Sequence, residues 1–154
     1  MPSQSVWRSA AVWVAALGYF VDIYDLLLFS IVRVPSLDDL GVANSFESGL
    51  LIINVQMFGL MLGGILWGVL GDRLGRTRVL FLSILIYSAG NLANGFVQNE
   101  LQYAIVRFLA GIGLAGELGA GITLVSELLP AAKRGIGTSL VAGIGLLGAV
   151  AAFF

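Results

Sequence analysis

Between Gly68 and Arg78 the chain reads GVLGDRLGRTR, a knot of charge set between two stretches that have none. Residues 49–71 on one side of its acid and 79–97 on the other contain no Asp, Glu, Lys or Arg. Each run is long enough to cross the hydrocarbon core of a bilayer as a helix. Gly71 and Gly75 give the backbone room to turn tightly between them. Arg73, Arg76 and Arg78 in so short a connection mark it as cytoplasmic, because Lys and Arg collect in loops on that side. Asp72 is the acid among them.

The 154 residues are 58% hydrophobic and 11% charged, with a mean hydropathy of +0.98. Soluble domains carry roughly a quarter charged residues. Strand alternation is absent and the apolar runs are long, so the expectation is an all-α membrane protein rather than a barrel. Its surroundings are then the lipid bilayer, and a net charge of −1 gives no pull on nucleic acid. The chain has no Cys and no His, which excludes disulfides and the usual zinc or haem ligands. No nucleophile–base or metal-ligand set stands out, so neither an enzyme nor a bound cofactor is expected.

Met1 to Arg8 reads as a short polar cytoplasmic start. A first span is expected here rather than a secretory signal, since the apolar stretch after Arg8 is too long for a signal core and contains Asp22 and Asp25. Spans are expected at about 10–33, 49–71, 79–97, 101–129 and 136–154. Pro35 is expected to break the first helix. Residues 34–48 carry Asp38, Asp39 and Glu47 with no base, which suits the outer face, and Ser45 or Ser48 is the expected cap of the second helix. Gly59, Gly63, Gly64 and Gly68 place small residues four apart for close helix contact. Asn91 and Asn94 sit one turn apart on the outer half of the third span, and residues 98–100 make a short outer loop. The fourth span is longer than a bilayer needs, so tilt is expected. Pro130 to Arg134 returns to the cytoplasm. Arg8, Arg73, Arg76, Arg78, Lys133 and Arg134 all fall inside and Arg33 near the outer edge, which puts the N-terminus in the cytoplasm and the protein in the cell (inner) membrane.

Ionisable residues inside the spans are the candidates for function. Asp22 and Asp25, three apart, share one helix face. An ionised carboxylate at mid-membrane costs about 3 kcal/mol on insertion scales, so the pair reads either as a proton site facing a cavity or as acids paired to a neighbour. Arg107 either partners charge in the interior or snorkels to the outer surface. Glu117 follows ten residues later, about 15 Å along the helix and near mid-span, where it can bind a proton or a cation or hydrogen-bond a neighbouring helix. Gly111, Ala115 and Gly119, and Gly116 with Ala120, read as packing ridges. Trp7, Trp13, Tyr19, Trp67 and Tyr103 read as belt or packing residues, while Tyr24 and Tyr87 could line a cavity. The glycine-rich spellings of the fourth and fifth spans are not nucleotide sites, since no strand precedes them.

The pattern Gly68-x-x-x-Asp72-Arg73-x-Gly75-Arg76 resembles the signature loop of the major facilitator superfamily, with Thr77 where many members have a second base. Arg107 followed by Gly111, Gly113 and Gly116 is similar to the family's second motif. The Gly116–Glu117 pair resembles metabolite and organic-acid:proton symporters, and Glu127, Pro130, Lys133, Arg134 and Gly135 resemble the loop after the fourth span of sugar and organic-acid carriers. The resemblance implies a bundle of twelve spans in two six-helix halves. The five spans here would be its N-terminal part, with the remaining helices as partners. It further implies alternating access, with Arg107 brought to a first-span acid or an anionic substrate. Gly68, Asp72, Arg73, Gly75, Arg76, Arg78, Glu127 and Arg134 would form a cytoplasmic gate in which Glu127 pairs with an arginine of the Asp72 loop. The implied activity is proton-coupled symport of a small organic solute, with Asp22, Asp25, Arg107 and Glu117 carrying the coupling. A sugar porter or a drug/proton antiporter is the alternative within transporters. A non-transporting membrane fragment or interaction module is the alternative outside them.

Overall fold

The protein was analysed as a computed structural model that describes residues 10–154. The expected cytoplasmic start, with Trp7 and Arg8, lies outside the described residues. Helices follow one another with little between them: α1 Ala10–Asp39, α2 Ser45–Leu74, α3 Arg76–Asn94, α4 Glu100–Leu128 and α5 Ala131–Ala151. All but α3 are long and apolar enough to cross a membrane. The expected third span falls short of that measure because its 19 residues include Arg76 and Arg78 at one end and Ser83, Ser88, Asn91 and Asn94 along the rest. Polar groups are tolerated there because α3 turns Ser83, Tyr87 and Gly90 into the bundle. Outward-facing Phe58, Ile65, Phe81 and Leu85 are exposed, a surface suited to acyl chains and a liability in water.

The boundaries depart from expectation where local chemistry outweighs residue type. Pro35 does not break α1, which continues through it to Asp39. Beyond it Leu37 and Leu40 pack with Phe29, Ile52 and Tyr103, and this burial carries the helix over one lost backbone hydrogen bond. The stop comes at Gly41, with φ of +73°. There Val42 N–H donates to Leu37 O and Gly41 N–H to Asp38 O, and Val42 packs on Leu37, as in a Schellman end. Neither serine caps α2: the cap position is Asn44, whose side chain makes no capping bond, and Ser45 is already helical.

The charged connection is barely a loop. Asp72 and Arg73 belong to the last turn of α2 and Arg76 and Arg78 to the first turn of α3. Gly75 alone separates them, at φ +89°, a conformation a β-carbon would strain. On the opposite edge Asn99 Oδ1 accepts from Gln102 N–H at 2.9 Å and opens α4. Pro130 leads straight into α5, so Lys133 and Arg134 lie in its first turns rather than in a loop, a start that a proline favours.

Helix α4 is the hub. Gly59 abuts the Phe108 carbonyl and Gly63 the Ile112 carbonyl, so α2 runs parallel to α4 at backbone contact. Gly90 meets Ala110, Tyr87 meets Gly113 and Ser83 meets Gly116, so α3 runs antiparallel to α4 on its other side. The glycine ridges are used unevenly. Gly111 and Gly116 are in tight contact, whereas Gly64, Gly68 and Gly119 have open space around them among the described residues. Helix α5 packs along α1, with Gly145 against the Tyr19 ring and Gly148 against the Phe20 carbonyl. Trp67 is a packing residue, its indole N–H donating to Ile112 O at 2.6 Å.

Candidate functional site

The charged residues of the spans meet where α1 crosses α4. Asp25 Oδ2 accepts from Arg107 Nη1 at 3.2 Å. The guanidinium lies 3.7 Å from the centroid of the Phe29 ring, one turn beyond Asp25, and Phe29 is itself set edge-on by Tyr103 at 5.7 Å. Arg107 is 4% exposed, so it does not snorkel. Its ion pair and its stacking on an aromatic face satisfy a charge that hydrocarbon could not hold.

Asp22 is placed differently. It is fully buried (0% exposed), and neither carboxyl oxygen has a hydrogen-bond partner among the described residues. Asp22, Tyr19, Glu117 and Gly121 line a small cavity between α1 and α4, about 20 Å³ and so the space of a single water. Both acids therefore point into the bundle rather than at lipid. Glu117 lies against Gly18, where any side chain would overlap its carboxylate. The close approach at Gly18 escaped the sequence reading because a lone glycine in an apolar helix has no distinguishing context.

Two further polar residues were also missed. Gln56, on α2, is 1% exposed with neither amide atom partnered among the described residues. It sits where its backbone carbonyl meets Gly111, one turn from Arg107. Ser83 is buried and closes on its own helix by donating to Leu80 O at 2.9 Å. Tyr87, which could have lined a cavity, is packed inside in a cluster with Ala110, Leu114, Leu26 and Leu60. Tyr24 is not among the residues lining the cavity at Asp22 and Glu117.

At the far end of α2 and α4 a second cluster forms. Arg76 Nη2 donates to Asp72 Oδ1 at 2.8 Å, and Arg76 Nε approaches Glu127 Oε1 at 3.8 Å. One guanidinium thus ties together the end of α2, the start of α3 and the end of α4. All three side chains are substantially solvated, so the pairs hold position rather than supply much stability. Arg73 and Arg78 are exposed and lie outside this cluster, as does Gly68. Arg134 instead donates from Nε to Leu129 O at 3.2 Å, fastening the α4–α5 corner.

The sequence profile of the Major Facilitator Superfamily matches residues 11–154. The niacin transporter NiaP of Acinetobacter baylyi is 36% identical over 123 residues, 80% of this chain and 28% of that protein. The benzoate transport protein of the same organism is 30% identical over 153 residues, 96% of this chain and 32% of that protein. A putative metabolite transport protein of Haemophilus influenzae is 36% identical over 138 residues, 88% of this chain and 33% of that protein. The chain spans about a third of the length of these relatives. No solved structure matches it. With a profile match over nearly its whole length, an all-helical fold and apolar helices fit for a bilayer, the chain is a multi-pass membrane protein that belongs to the Major Facilitator Superfamily.

Proposed function

We propose that the chain forms the first five spans of a secondary transporter that moves a small organic solute together with protons by alternating access. The observation that carries this reading is the unequal treatment of the acids on α1. Asp25 is neutralised by Arg107, whereas Asp22 faces Glu117 across a cavity that no base lines among the described residues. Two carboxyls in a low-dielectric interior without a countercharge form a place to take up and release a proton. The niacin and benzoate carriers among the relatives favour ring-bearing organic acids as the solute class. The Asp72–Arg76–Glu127 cluster acts as the cytoplasmic latch: it joins three helix ends through solvated pairs, which can break and re-form as one half rocks. In this reading the N-terminus and the arginine-rich corner lie on the cytoplasmic side of the inner membrane. Uptake of a panel of organic acids by the protein at its full natural length, reconstituted in proteoliposomes with and without an inward proton gradient, tests it. Accumulation of at least one acid only with the gradient is expected, and gradient-independent equilibration of every solute would overturn the coupling.

A further inference from the structure

Where α1 and α4 meet around Asp22, small residues face each other. On α1, Ala15 and Gly18 share a face with Asp22, which follows Gly18 by one turn. On α4, Gly121 follows Glu117 by one turn on the same face. A β-carbon at Gly121 would come to 3.7 Å from Ala15 Cβ, and one at Gly18 would overlap Glu117 Oε1. The helices therefore run antiparallel along this seam, and the Glu117 carboxylate is held against α1 one turn before Asp22. Between the two acids lies the cavity of about 20 Å³. Its walls from α3 and α5 are apolar, made by Leu80, Ile84 and Val141. The ionisable residues that line it are thus Asp22 and Tyr19 from α1 and Glu117 from α4, while Asp25, on the next turn of α1, is taken up by Arg107. A space of this size admits one water, and a water is held inside a protein where two to four polar atoms meet it. Those atoms are on hand. Asp22, at 0% exposure, offers two carboxyl oxygens with no partner among the described residues, and Glu117 offers its carboxylate from the other side. A water that bridges them satisfies a buried polar group nearly as well as a direct hydrogen bond does.

We propose that this space is a one-water site kept open by Gly121, and that its water bridges Asp22 and Glu117 and relays the transported proton between them. The proposal rests on the proton-coupled reading above and adds to it the carrier of the proton and the residue that makes room for that carrier. The relay balances. The water accepts the proton of the Asp22 carboxyl and gives one of its own to the Glu117 carboxylate, so one O–H bond forms for each that breaks and the water is returned unchanged. Gly121 touches neither acid in this role; it is a positioning residue that acts by lacking a side chain.

Gly121→Ala puts a methyl group where the water would sit. At 3.7 Å from Ala15 Cβ the methyl makes an ordinary contact, and Ala suits a helix better than Gly, so the melting temperature in detergent is expected to equal or exceed the parent's. At full natural length in proteoliposomes, gradient-driven uptake is expected to fall about tenfold or more, as for loss of a positioned proton-transfer group, while solute counterflow without a gradient stays within about twofold. Gly121→Ser is almost the same size as Gly121→Ala but brings a hydroxyl that both donates and accepts, so it is expected to recover most of the lost uptake. A loss in Gly121→Ser as large as in Gly121→Ala would show a packing role and overturn the proposal. Undiminished uptake in Gly121→Ala, or equal losses of uptake and counterflow, would overturn it too. Absence of gradient dependence in the parent removes the reading beneath it, a different failure. If Gly121→Ala does not insert, infrared spectra of the parent decide. A water between the two acids is expected to give an O–H stretch that shifts when heavy-oxygen water replaces ordinary water and that moves again in Asp22→Asn. No such band, or one indifferent to Asp22→Asn, overturns the proposal.

Discussion

In the proposed mechanism Asp22, Asp25 and Arg107 divide into a neutralised pair and an unpaired acid. Asp25 and Arg107 neutralise each other, so removing one partner strands the other in the interior at a cost of about 3–5 kcal/mol. Arg107→Ala is therefore expected to lower the melting temperature in detergent markedly. Arg107→Ala combined with Asp25→Ala should recover part of that loss, and a double variant no more stable than Arg107→Ala would show the pair to be uncoupled. Asp22 has no such partner, so Asp22→Asn should leave insertion and melting intact while cutting proton-gradient-driven uptake about tenfold or more. Unchanged coupling would remove Asp22 from the mechanism. Asp22, Asp25, Arg107 and Glu117 could all be named from the sequence, since an ionisable side chain in an apolar run is conspicuous. Their roles could not, because which acid takes the one arginine depends on how α1 is rotated against α4.

At the level of elements, spacing foretold close contact but not the partner. Gly59 and Gly63 are four apart, as are Gly64 and Gly68, yet only the first pair lies against α4. Gly59→Val should reduce membrane-folded protein because a side chain there meets the Phe108 carbonyl, whereas Gly64→Ala, facing open space, should be tolerated. Melting temperatures in the same detergent check both. Gly18→Val should displace the Glu117 carboxylate and lower gradient-driven uptake more than it lowers melting temperature. The α1 boundary teaches a similar lesson. Pro35 is a strong local signal, but burial of Leu37 outweighs it, and the stop is set by Gly41 in a conformation that only the folded turn displays. Gly41→Ala should cost about 1–2 kcal/mol, read as a lower melting temperature with transport retained.

For the whole molecule, the strongest consequence of the proposed topology is a side for every loop. The chain has no native cysteine, so single cysteines report orientation without background. Arg78→Cys should react with an impermeant maleimide only in permeabilised cells, and Ala43→Cys in intact ones. The reverse pattern would invert the bundle and place the Asp72–Arg76–Glu127 cluster outside. A single residue between α2 and α3, and two between α4 and α5, reverse the chain at each corner, after which α2 and α3 pack mainly on α4, and α5 mainly on α1. The parallel contact of α2 with α4, and of α1 with α5, follows from that alternation together with the glycine contacts.

Composition and charge placement were enough to determine a helical membrane protein, the family pattern at Gly68–Arg76 and the short roster of intramembrane charges. Those properties are local: hydropathy over one helix length and the residue types within one turn. Tertiary structure alone decided that Arg107 pairs with Asp25, that Asp22 and Glu117 share a cavity, that Gly18 makes room for Glu117, and that Gln56 and Tyr87 are buried beside them. These depend on the rotation and register of helices against each other, set by many weak contacts summed across the bundle, and no stretch of sequence shorter than the bundle contains that sum.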